Sequence, residues 1–260
     1  METQEPRIVR GRVELIIPHR EKEIKVAYPF SGANPYSNGK ARSWTQDFSG
    51  ASTDPSVKSQ ILKQHQLIAT GDQTASVIYA AYCSNLKNEP EFREIRNIME
   101  EGASDTVGFW VFNKTLWTKK GVYVVQQDPE AIGIKQDLDQ NELEVMLENS
   151  KEIRGVRFSK DEKVRFAPKE TYNLEFNTPD FLAKNGFVIA SYGEEGAQKL
   201  AEVSTKFKNQ PYIVALEDRR LIYTLEQEVS TIHARFSSNS LIIRAGYSGL
   251  ERGHGFGIWK

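Results

Sequence analysis

The sequence is short of the residue types from which most recognisable chemistries begin. Its 260 residues hold one cysteine, Cys83, so no intrachain disulfide can form, which fits a reducing compartment and points to the cytoplasm. The four histidines, His19, His65, His233 and His254, are scattered, and no two stand at the spacing of zinc ligands. Asp137, Asp139, Asn141 and Glu148 match ligand positions of a calcium loop, but its obligatory glycine is replaced by Glu142, so Asp139 reads as a helix cap. Neither a metal nor another cofactor is expected. There is no G-x-x-x-x-G-K-[ST] phosphate loop, and Gly253, Gly255 and Gly257 leave no room for the helix that a dinucleotide fingerprint requires. Gly246-Tyr247-Ser248-Gly249-Leu250 lacks the last glycine of a nucleophile elbow, which disfavours a serine hydrolase of that type. No apolar run approaches the ~20 residues of a membrane helix, and the chain starts on polar, charged residues rather than a secretion signal.

A large charge of either sign is missing too. The net charge is −1, which argues against gripping nucleic acid by bulk charge. The distribution is uneven, however. Residues 1–65 carry ten Lys/Arg against seven Asp/Glu, residues 66–150 seven against fourteen, and residues 218–260 six against four. Both ends are mildly basic and the middle is acidic.

What is present reads as strands with a helical block. Arg7 to Ile17 alternates Arg10, Arg12 and Glu14 with Val9, Val13 and Leu15, the pattern of a strand with one solvated face, and Glu23 to Phe30 reads as its hairpin partner. Residues 31–55 form a long loop in which Tyr36, Lys40, Arg42, Trp44 and Phe48 interleave aromatics with cations, a composition able to stack on bases and pair with phosphates. Helices are expected over Val57–Ala69, over Gln73–Leu86 behind a Gly71-Asp72 cap, and from Pro90 to Gly102. Asp105–Asn113 and Gly121–Gln127 resemble a strand pair, and Gln140–Ile153 a helix. Further strands are read at 156–158, 164–166, 172–176, 186–191, 212–216, 221–225, 229–236 and 241–245. A helix is read over Glu194–Phe207.

The last stretch, Ser240 to Lys260, is the most specific. Five glycines, 246, 249, 253, 255 and 257, surround Arg252 and His254 between two strands. Glycine loses more conformational entropy on folding than any other residue, so the cluster implies a positional need, and a cationic glycine loop can lay amides and charges against phosphates. The loop resembles the glycine-rich loop of the RAMP superfamily, the ferredoxin-like RNA-binding proteins of CRISPR systems. About twenty residues carry the likeness. The chain departs from the family in placing several strands between its C-terminal helix and this loop. The resemblance implies that Arg252 and His254 contact RNA phosphates, and that His19 is the counterpart of the N-terminal-half histidine used by RNA-cleaving members.

The expected fold is therefore α+β, mostly antiparallel sheet with ferredoxin-like units and a helical insertion over about 56–101, the alternative being a β-sandwich with helical excursions. The chain divides near 150–170 into regions 1–155 and 156–260, or forms one domain. The expected function is binding of RNA or another single-stranded nucleic acid through Arg10, Arg12, Lys40, Arg42, Trp44, Arg235, Arg252 and His254. By the resemblance, that work takes place within a CRISPR-type ribonucleoprotein of antiviral defence, with other protein subunits as partners and no membrane. A structural or assembly protein binding other chains is the alternative. A metal-independent RNA-cleaving enzyme using His19 or His254 is the second, and no catalytic residue is assigned.

Overall fold

The computed structural model describes residues 5–9, 14–27, 36–37, 40–41, 61–62, 64–100, 108–126, 138–215, 225–227, 230–235, 239–245 and 254–260. In chain order the N-terminal elements are β1 (Arg7–Val9), β2 (Glu14–His19), β3 (Lys22–Ala27), β4 (Tyr36–Ser37), β5 (Lys40–Ala41), β6 (Leu67–Ile68), α1 (Gly71–Cys83) and α2 (Pro90–Glu100). The middle holds β7 (Phe109–Val111), β8 (Asn113–Thr118), β9 (Gly121–Gln126), α3 (Gln140–Met146), β10 (Lys151–Ile153), β11 (Val156–Phe158) and β12 (Val164–Pro168). A 3-10 turn (Lys169–Thr171), β13 (Glu175–Phe176), α4 (Pro179–Leu182), α5 (Gly186–Ser204), β14 (Tyr212–Ala215), β15 (Leu225–Gln227), β16 (Ser230–Arg235), β17 (Ser240–Ala245) and β18 (Gly257–Ile258) complete it. The class is α+β.

Three larger sheets run in the orders β1-β2-β3-β18-β6, β10-β11-β12-β9-β8-β15 and β13-β14-β17-β16-β7. All described pairings between strands are antiparallel except that of β14 with β17. That parallel pair distinguishes its sheet from a ferredoxin-like one, in which neighbouring strands are antiparallel throughout. One cluster of buried side chains takes in Leu15, Val77, Phe92, Phe187, Ile243 and Ile258, so regions 1–155 and 156–260 contribute to the same core.

Helix α1 is buried on nearly every side because its centre, Val77 to Ala81, offers no polar stripe to water. Thr70 rather than Asp72 caps it. The Thr70 hydroxyl accepts from the Gln73 N–H, and the Gln73 side chain accepts in return from the Thr70 N–H, a complete capping box. Asp72 is thereby left for other work. Asp139 does cap α3, accepting from the Asn141 N–H at 2.7 Å, and that helix ends at Met146 before Lys151–Ile153 turns to strand.

Three local readings of the sequence are corrected. The helix read through Ala69 has ended by a turn at Gln64-His65, where His65 takes φ 59°, and Leu67–Ile68 pairs with β18 as strand. Residues 186–191, read as a strand for their apolar run, are the first turns of α5. Asn185 caps them by accepting from the N–H groups of Phe187 and Val188, so a buried helix satisfies its backbone where an apolar run alone cannot distinguish helix from strand. Likewise the strand read over residues 7–17 is a hairpin of β1 on β2, with Ile8 opposite Leu15.

Candidate functional site

Helices α1 and α5 pack against one another, and the β2–β3 turn and β12 close over the start of α1 and the middle of α5. Asp72, in the first turn of α1, sits where an anionic side chain complements the helix dipole. Arg165 of β12 meets it with both ends of its fork: Nη1 donates to Oδ1 at 3.0 Å and Nη2 to Oδ2 at 3.3 Å. The same guanidinium donates to the carbonyls of Ala190 and Glu162 and lies over the Phe158 ring, 5.0 Å from its centroid. Both partners are buried, their side chains 4% and 6% exposed. Arg20, half exposed at the β2–β3 turn, donates to Asp72 and also to Glu162 at 3.2 Å, and Lys151 reaches Glu162 at 2.5 Å. Burial disfavours charge on Asp72, but Arg165 and Arg20 outweigh it and hold the carboxyl below its usual range. Glu162 behaves alike, its burial outweighed by Lys151 and Arg20.

Alongside lies a second group. Ser76, one turn beyond Asp72, has its Oγ 2.9 Å from Nδ1 of His19 and 2.9 Å from Nζ of Lys199, and 3.2 Å from the Asp72 carbonyl. Lys199 also donates to Glu195 at 2.6 Å and to the Pro18 carbonyl at 3.5 Å. Burial lowers the His19 pKa, with Lys199 and Arg20 acting in the same direction and Asp72 and Glu195 opposing them. Two cavities meet here. One of about 230 Å³ is lined by His19, Arg20, Asp72, Ser76, Phe158 and Gly193. The other, of about 760 Å³, runs over Ile17, Pro18, Tyr79, Ala80, Cys83 and Lys199 and shares Ser76 with the first. Burial pushes the Cys83 thiol up to about 11, so it is a poor nucleophile at neutral pH. Among the described residues no three His, Cys, Asp or Glu side chains are grouped as metal ligands.

The lowered pKa of His19 carries a stability consequence. Its folded value lies below the unfolded one of about 6.5, so on acidification the unfolded chain takes up the proton first, and stability is lost as pH falls from about 6.5. Chemical denaturation between pH 7 and 5 should show this decline, and His19→Gln should flatten it. An equal slope in both proteins would place the decline elsewhere.

The residues expected from the sequence to bind nucleic acid are placed unevenly. Arg10, Arg12, Arg42, Trp44, Arg252, Gly246, Gly249 and Gly253 lie outside the described residues. Lys40 is in β5, and Arg235 ends β16 opposite Ser240. His254 is buried, 6% exposed. Its N–H donates to the Gly108 carbonyl and its own carbonyl accepts from Trp110, with its ring 6.0 Å from that of Phe109. The ring thus packs beside Phe109 rather than standing on an exposed loop. Gly255 is buried as well. Gly257 answers a packing need, since a Cβ there would stand 1.9 Å from Oε1 of the buried Gln66.

What sequence reasoning missed is the outer face of the β1-β2-β3-β18 sheet. The register sets Arg7 opposite Ile16 and Ile16 opposite Lys25, and the Trp259 N–H donates to the Lys25 carbonyl. Ile258 and Val26 point inward, so Lys25 and Trp259 point out. A row Arg7–Ile16–Lys25–Trp259 thus crosses four strands on an open face, with the indole 36% exposed while Trp110 and Trp117 are buried. Arg7 is held by Glu23 at 2.8 Å. The signal available in the sequence was the terminal Ile258-Trp259 pair, whose alternation puts one residue in and one out. No family model, curated protein or solved structure matches the chain.

Proposed function

We propose that the protein binds RNA or another single-stranded nucleic acid, and that the outer face of the β1-β2-β3-β18 sheet takes part. The observation that carries this reading is the Arg7–Ile16–Lys25–Trp259 row, an exposed indole beside cations on one sheet face. Bases of any sequence stack on such a ring while cations track the backbone, so the face favours single strands without strong sequence preference. A near-neutral chain needs such a local surface, since its bulk charge supplies no attraction.

The test is fluorescence anisotropy with a labelled oligouridylate and the matching DNA strand at two salt concentrations. Trp259→Ala should weaken binding by about 5- to 150-fold, the range of one stacked base, without changing thermal stability. Lys25→Ala should lower the salt slope by about one phosphate contact. If the unaltered protein binds neither strand at low salt, or if Trp259→Ala binds as tightly as its parent, the proposal fails. The exposed Phe176 and Phe181, 64% and 40% exposed, are what favours the alternative of a chain that assembles with other proteins.

A further inference from the structure

We infer that Ser76 is a nucleophile, with His19 as its general base, for acyl transfer from short-chain carboxylic esters. The inference stands on the geometry where the two cavities meet and is independent of nucleic-acid binding. The Ser76 hydroxyl has one proton to give and two lone pairs. Lys199 Nζ donates to one lone pair at 2.9 Å. The proton has two acceptors within reach, the Asp72 carbonyl at 3.2 Å and His19 Nδ1 at 2.9 Å, and the imidazole is both the nearer and the more basic. Burial keeps the ring neutral at pH 7, so with its own proton on Nε2 it can accept at Nδ1. A serine hydroxyl within hydrogen-bond reach of a neutral imidazole is the first element of an activated nucleophile. This is not the strand-turn-helix elbow that the sequence lacks, because Ser76 lies inside α1.

Ser76 is 2% exposed and lines both cavities, and the larger supplies the substrate class. Ile17, Pro18, Ala80 and the ring of Tyr79 make an apolar wall suited to a short acyl chain. Lys199 has three donors: two are occupied by Glu195 and Pro18, and the third, on Ser76 Oγ, can pass to an oxyanion forming on the attached carbon. In the reaction Oγ attacks the ester carbon while its proton moves to His19 Nδ1 and the carbonyl π pair becomes the oxyanion. Collapse expels the alkoxide, which takes the proton from His19, and leaves an acyl-serine. Water then attacks that acyl carbon, gives its proton to His19, and Oγ departs with the proton returned, releasing the carboxylic acid.

The base is surrounded by charge from three elements, Arg20 at the β2–β3 turn, Asp72 on α1, and Glu195 and Lys199 on α5. Because burial sets its protonation below the ordinary histidine range, the rate should rise with pH through an inflection below about 6.5 and then level. The experiment is labelling of the protein with a fluorophosphonate probe, located by peptide mapping, together with hydrolysis of p-nitrophenyl butyrate across pH 5 to 8. The label is expected on Ser76 and absent from Ser76→Ala. His19→Gln should slow labelling by about 10²- to 10⁴-fold, with circular dichroism verifying the fold of each variant. Should a variant fail to fold, mapping and the pH profile of the unaltered protein still decide. A label elsewhere, no label at all, or His19→Gln reacting at the parental rate overturns the inference.

Discussion

Asp72→Ala is expected to lower stability by about 3–5 kcal/mol, because it strands the Arg165 guanidinium in an interior where it is 4% exposed. The carbonyls of Ala190 and Glu162 still accept from Arg165, but neither carries the compensating charge. Arg20, half exposed, can turn to water and contributes little to the loss. In a chain of this size the melting temperature should fall by about 2–4 °C per kcal/mol, hence by roughly 6–20 °C. Replacing both partners, Asp72→Leu with Arg165→Met, should recover much of that loss, since apolar substitutes for a buried ion pair are often neutral or better. Urea unfolding of the two single variants and the double variant measures this directly. Single losses below about 1 kcal/mol would mean that water reaches the pair. The pH dependence has a definite sign: the Asp72 carboxyl titrates below its usual value, so its contribution is complete at neutral pH and is lost as pH falls below about 3.8 toward the folded value.

Gly193→Ala should cost about 2–5 kcal/mol for two separable reasons. Its φ of 73° and ψ of 166° lie in a region that essentially only glycine occupies. A Cβ there would also stand 2.5 Å from Oδ2 of Asp72. The same residue therefore breaks α5 into two helical segments and lets the ion pair sit against the break. Combining Gly193→Ala with Asp72→Ala isolates the two effects: the clash disappears in the double variant while the backbone strain, about 1–3 kcal/mol, remains. Strict additivity of the two changes would show that the carboxylate and the kink are not coupled. Arg20 and Glu162, whose φ values are 52° and 59°, line the same cavity, so strained backbone gathers around this cluster.

How far the sequence alone determined this protein follows from the range of the forces involved. The α+β class, the buried helix α1, the start of α2 at Pro90, the Asp139 cap and the strands β16 and β17 were all legible. Each rests on contacts within a few residues or on a periodicity that burial imposes locally. The apolar stretch at 186–191 was not legible as helix, because its sequence suits either element and its packing on α1 decides. The parallel union of β14 with β17 joins strands separated by two others, which no local signal encodes. The candidate sites are more distant still. Asp72 and Arg165 are 93 positions apart, and His19, Ser76 and Lys199 come from three separate elements. The Arg7–Ile16–Lys25–Trp259 row exists only because strand register aligns it. Propensity and patterning set which segments become helix or strand, but the charges and hydroxyls that could do chemistry are brought together by packing the core, which decides their neighbours only once the whole chain has folded.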